Sequence, residues 1–187
     1  MRRAWLGVAA LALAGTAQAR RFDVMAQGGV GQFTGGLVQF TETGPTWGVS
    51  VNADVYRALQ VELGYQGSFN VLNGVDDDAP APPALVRHGG EMLVRVSPRA
   101  LPEVRPFVGA GLGLSQLSVA GALPGFRADV LEELPLAAGV DFRSGALHLG
   151  LRTTFRVLFG EGFADVGLPA SPQGGRWDVG ATAGGRF

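Results

Sequence analysis

Chemistry in this 187-residue chain would have to start from two histidines, one acidic run and two glycine-rich stretches. His88 follows the acidic run Asp76, Asp77 and Asp78, and His148 stands alone. A hydrolase needs a nucleophile beside a general base, and neither histidine has a hydroxyl or thiol placed for that in its neighbourhood of sequence. Three consecutive aspartates attract cations, but they lack the alternating oxygen donors, the glycine and the distal glutamate of a calcium loop. Gly109-Ala110-Gly111-Leu112-Gly113 and Gly28-Gly29-Val30-Gly31 resemble phosphate cradles only in glycine content. Neither is followed by Lys-Ser/Thr or opens a helix. With no cysteine, thiol chemistry and disulfide stapling are both excluded. The sequence thus offers no catalytic set, no metal set and no cofactor motif.

What the sequence does hold is charge at alternate positions in otherwise apolar segments. Trp47, Val49, Val51, Ala53 and Val55 alternate with Gly48, Ser50, Asn52 and Asp54. Leu59, Val61, Leu63, Tyr65, Gly67 and Phe69 alternate with Gln60, Glu62, Gly64, Gln66, Ser68 and Asn70. A period of two puts each set on its own face of a strand. Arg57-Ala58 between the two segments reads as a tight turn. The same pattern predicts strands over Phe22–Val30, 91–97, 105–115, 134–143, 147–157 and 176–187, an antiparallel set of eight. Ser144-Gly145 reads as another two-residue turn. The connections from Gln32 to Pro45, Leu72 to Leu85, Gln116 to Glu132 and Gly160 to Gly175 read as long loops, and Pro98 to Glu103 as a shorter one. Pro80, Pro82 and Pro83 with the acidic run forbid a ladder strand in the second long loop. No capped apolar segment with helical periodicity follows residue 19.

Long and short connections therefore alternate. Both termini and the short turns fall on one rim, and the long loops on the other. The chain opens with Met1-Arg2-Arg3, an apolar run from Ala4 to Gly15, and Ala17-Gln18-Ala19. That is the form of a secretory signal peptide, expected at residues 1–19 with the mature domain at 20–187. The apolar run is shorter than the ~20 residues of a transmembrane helix. Hydropathy is high (mean +0.21) without any such helix, as alternating membrane strands require. A net charge of −1 gives no footprint for nucleic acid.

The charged face cannot be the lipid face, because each ion there costs about 2–4 kcal/mol at mid-bilayer. It carries Asp54, Glu62, Glu91, Arg95, Arg105, Asp141, Arg143, Arg152, Arg156 and Asp178. Enclosed ions must pair, so cross-strand pairs are expected: Glu62 with Arg95, Arg105 with Asp141, and Arg156 with Asp178. On the uncharged face, Trp47, Phe69, Phe155 and Trp177 lie toward the long loops, and Phe22, Phe142 and Phe187 toward the short turns. Two such belts about 25 Å apart would be the aromatic girdles of a membrane barrel.

The sequence resembles the small eight-stranded outer-membrane β-barrels of Gram-negative bacteria, of the OmpA and OmpX type. The resemblance covers the whole mature chain. It rests on Ala17-Gln18-Ala19, the hairpin rhythm, Arg105-Pro106-Phe107-Val108-Gly109-Ala110-Gly111-Leu112-Gly113 and terminal Phe187. It departs in the small Ala181, Ala183 and Gly185 of the last strand, and no peptidoglycan-binding domain follows Phe187. It implies an all-β, up-and-down transmembrane barrel, monomeric, with periplasmic termini after Sec export. It also implies contact with outer-membrane lipid and lipopolysaccharide, and delivery by the barrel-assembly machinery through the C-terminal strand. The His-x-Ser pair of lipid A deacylases is absent. The expected role is structural, in envelope integrity or surface interaction, with a plugged lumen and no chemistry. A narrow passive pore and a soluble periplasmic ligand-binding barrel are the alternatives.

Overall fold

The computed structural model describes residues 22–73, 82–98, 103–121, 128–159 and 174–187. The expected signal peptide, the acidic run Asp76–Asp78 and residues 160–173 of the last long connection lie outside the described residues. Eight strands follow in order: β1 Phe22–Phe33, β2 Gly44–Tyr56, β3 Leu59–Val71, β4 Ala84–Val96, β5 Val104–Ala120, β6 Asp129–Ser144, β7 Leu147–Phe159 and β8 Gly175–Arg186. Each pairs antiparallel with the next, and β8 returns to β1 to close a barrel. Closure removes every open sheet edge.

The seam between first and last strands is continuous, from Asp23 opposite Arg186 to Phe33 opposite Arg176. At its foot Phe22 and Phe187 exchange backbone hydrogen bonds of 3.2 and 2.9 Å, and their rings stack with centroids 5.8 Å apart. The terminal aromatic thus caps the seam.

Alternation decides which side chains face out. Val51, Val94 and Leu149 are 45%, 46% and 47% exposed on the outer wall, while Arg95 and Arg152 are buried within. Apolar residues turned outward over the whole circumference belong in hydrocarbon.

Three readings of the sequence need correction. The strands run further toward the long-loop rim than alternation of polar and apolar residues suggests. β1 reaches Phe33, β2 starts at Gly44, β4 at Ala84, and β5 and β6 take up Gln116–Ala120 and Asp129–Glu133. The reason is a reversal of polarity inside. Near that rim the inward residues are Phe33, Leu72, Leu85, Leu117 and Leu131, a buried apolar cluster. Inward greasy residues break a pattern that assumes a polar interior. Second, the β6–β7 turn is Gly145-Ala146, with Ser144 still paired to Leu147. Gly145 has φ +61°, the left-handed conformation that a primed hairpin turn demands at its first position. Third, one of the expected ion pairs is not made, as described next.

Candidate functional site

Among the described residues the lumen gathers most of the charged groups, and it is layered. Below the apolar cluster lies a network of arginines and carboxylates contributed by β1, β3, β4, β6, β7 and β8. Each member is an inward residue of a strand, so its height is fixed by the strand stagger of the barrel.

The upper layer centres on Arg156 of β7, which is 0% exposed. Its Nη2 donates to Glu91 Oε2 at 3.0 Å and to the side-chain oxygen of Gln66, its Nη1 donates to Asp178, and its Nε lies 3.5 Å from Glu133. Arg87 engages Glu133 with two nitrogens, and Ser115 donates to the same carboxylate. Arg176 donates to Asp178 Oδ1 at 2.8 Å and to Asn70 Oδ1 at 2.8 Å, with its guanidinium over the Phe33 ring at 4.8 Å. That stacking joins the ionic layer to the apolar cluster above it.

The middle layer centres on Glu62 of β3, also 0% exposed. It accepts from Arg95 at 2.9 Å and from Arg152. Arg95 also donates to Asp141 Oδ2 at 2.7 Å and to Asn52 at 3.2 Å, and lies 3.6 Å over the Phe107 ring. Arg152 bridges upward to Glu91 at 3.4 Å. The planar fork of arginine suits such shared use, since one guanidinium serves two or three acceptors.

The lower layer turns on Asp23 of β1. It accepts from Arg186 Nε at 2.9 Å and Arg143 Nη2 at 3.0 Å, and His148 Nδ1 lies 3.3 Å away. One carboxylate thereby links β1 to β6, β7 and β8 across the closing seam.

Of the pairs expected from sequence, Glu62 meets Arg95 and Arg156 meets Asp178. Arg105 and Asp141 are opposite one another on the β5–β6 ladder, yet Asp141 binds Arg95 instead. Arg95 reaches across from β4 with its guanidinium over Phe107, while Arg105 stays half-buried near the rim. Neighbours on a ladder need not be partners, because inward side chains this long meet across the lumen. Arg87, Glu133 and Arg176 lie in the strand extensions or went unpaired in the sequence reading. The signal for them was present: each is an odd or even continuation of its strand's inward set.

The aromatic residues stand on the outer wall as two belts. Trp47, Phe69 and Trp177 are exposed toward the long-loop rim, and Phe155 is half-buried against Trp177 at 6.3 Å. Phe22, Phe142 and Phe187 are exposed toward the other rim. Trp47 lies across Gly67, where an added Cβ would stand only 2.4 Å from the indole. Only glycine lets that ring lie flat on the sheet. Next to it His88 faces outward, its Nδ1 2.8 Å from the Tyr65 hydroxyl.

Neither histidine hydrogen-bonds a serine or threonine among the described residues. Among these residues, too, no grouping of His, Asp and Glu could hold a metal ion.

No protein-family model and no curated protein matches the sequence. Solved structures do match. Neisserial surface protein A has a TM-score of 0.64 at 16% identity, over 89% of this chain and 97% of that one. Ail of Yersinia pestis, in complex with the heparin analogue sucrose octasulfate, has a TM-score of 0.61 at 8% identity, over 90% and 99%. The N-terminal β-barrel domain of Pseudomonas aeruginosa OprF has a TM-score of 0.54 at 13% identity, over 89% and 97%. Identities this low speak for the fold and not for a shared role. With the closed eight-strand topology, the apolar outer wall and the charged lumen, these likenesses give the chain the fold of the small eight-stranded outer-membrane β-barrels.

Proposed function

We propose that this protein is an integral outer-membrane barrel with a closed lumen, serving envelope integrity or presenting its long loops at the cell surface. The observation that carries this reading is the stacked plug. An apolar cluster of Phe33, Leu85 and Leu117 covers an ionic network whose central members, Arg156 and Glu62, are fully buried. Eight strands enclose just enough width for side chains to fill. Opening a water path would strip partners from several enclosed ions at once, each at a cost of several kcal/mol or so. In this reading the loop rim faces outward, both termini face the periplasm, and recognition, where it occurs, belongs to the loops.

Two measurements test it. Fractionated cells should show the protein in the outer membrane, with faster mobility on SDS gels before boiling than after. Purified protein in planar bilayers should show no stable conductance. A soluble periplasmic barrel fails the first, and a passive pore fails the second. Among the described residues neither histidine hydrogen-bonds a serine or threonine hydroxyl, which supports a role without catalysis, and hydrolysis of outer-leaflet lipid by purified protein would refute that part alone.

A further inference from the structure

The lower end of the lumen holds more N–H donors than acceptors. Arg105 on β5, Arg143 on β6 and His148 on β7 stand on neighbouring strands near the rim that carries the termini. Arg143 and His148 are opposite one another on the β6–β7 ladder. Asp23 takes one nitrogen from each of them. That leaves Nε and Nη1 of Arg143 and Nε of Arg105 buried with no protein acceptor, and Nε2 of His148 buried without a hydrogen-bond partner. The side chains of Arg143 and His148 are only 8% and 3% exposed, so bulk water does not reach these atoms freely.

Charge is uneven in the same place. In the upper and middle layers Arg87, Arg95, Arg152, Arg156 and Arg176 are matched one for one by Glu62, Glu91, Glu133, Asp141 and Asp178. In the lower layer Arg105, Arg143 and Arg186 face only Asp23 and Asp54. Arg105 has no carboxylate within ion-pair reach among the described residues. Beside Arg143 and His148 is a cavity of about 20 Å³, walled also by Asn52, Thr182, Arg95, Arg152, Asp23 and Asp141. That is room for a water-sized particle.

We propose that the lower lumen binds a single monatomic anion of chloride size. It enters from the periplasmic rim past half-buried Arg105 and is held by the free N–H groups of Arg143. Asp23 and Asp141 share the wall, but each is already engaged by arginine, so their repulsion is offset. A water in the cavity would satisfy the Arg143 donors but bring no charge to the field of Arg143 and nearby Arg105. An anion answers both.

The test uses the full barrel refolded in a zwitterionic detergent. Urea unfolding is compared in sodium chloride, bromide and gluconate at equal ionic strength, and crystals grown in bromide are measured for anomalous scattering. The unfolding midpoint is expected to be higher in chloride and bromide than in gluconate, with a bromide peak beside Arg143 Nη1. Arg105→Gln breaks no ion pair, so it should fold and bind halide about tenfold more weakly, the effect of one charge roughly 10 Å away at an effective dielectric of about 20. Equal midpoints in chloride and gluconate, with no bromide peak, overturn the proposal and leave the cavity to water alone. A full halide effect in Arg105→Gln overturns it as well.

Discussion

Replacing Arg156 by Met should be among the most damaging single changes inside this barrel. Met matches the aliphatic stem but ends near the position of Nε, so the guanidinium fork and its charge are what is lost. Arg156 faces Glu91 at 3.0 Å, Glu133 at 3.5 Å and Asp178, and also holds Gln66. Each ion contact at such a distance is worth about 4 kcal/mol of gross attraction at an effective dielectric of about 20. Most of that sum offsets the cost of taking the ions out of water. Removing one partner leaves the desolvation in place and deletes the attraction, which in buried networks costs about 3–5 kcal/mol. The carboxylates are not left bare, since Arg152, Arg87 and Arg176 still touch Glu91, Glu133 and Asp178 respectively. That places the expected loss at about 3 kcal/mol, the lower end of that range. The assay is reversible urea unfolding in fluid bilayers followed by tryptophan fluorescence. It should be run as a double-mutant cycle with Asp178→Asn, where the two losses should fall short of additivity by about 1 kcal/mol or more. A loss below about 1 kcal/mol for Arg156→Met, or strict additivity, would refute the view that this network acts as a connected plug.

Four further changes probe the other layers. Leu151→Arg places a charge midway along the outer wall of β7, and should cost about 2–4 kcal/mol in bilayers; an effect within about 0.5 kcal/mol would turn the molecule inside out. Phe33→Ala opens the apolar cluster and should cost about 3–5 kcal/mol by urea unfolding, while the halide effect at the far end stays unchanged. Asp23→Asn frees Arg143, Arg186 and His148 at the seam, and should lower the temperature at which unboiled protein loses its fast mobility on SDS gels, by about 3 kcal/mol of stability. Gly67→Val pushes the indole of Trp47 off the sheet, and should shift its emission to longer wavelength with a cost of about 1–3 kcal/mol.

Much of the architecture is written locally. The period of two over 47–55 and 59–70 fixes both the strand and the face that each side chain takes, because successive Cβ atoms point to opposite sides. The two-residue turn Arg57-Ala58 needs nothing more than those flanking patterns. The aromatic belts follow from the same alternation, once the uncharged face is given to lipid. Glu62 with Arg95 was also legible, since β3 and β4 are adjacent and the two residues lie within one step of each other on the ladder.

Other features depend on distance across the barrel. Arg156 finds Glu91 and Gln66 at sequence separations of 65 and 90, so no local pattern could couple them. Asp141 takes Arg95 rather than its ladder neighbour Arg105 because inward side chains meet over a narrow lumen, at heights set by the stagger of all the strands together. The apolar cap was hidden for a related reason. Phe33, Leu72, Leu85, Leu117 and Leu131 are scattered over the chain, and only the closed sheet brings them to one level. The order of residues along each strand settled what faces inward, and closure of the barrel settled what each inward group touches. Facing is a property of one backbone, whereas contact depends on eight of them.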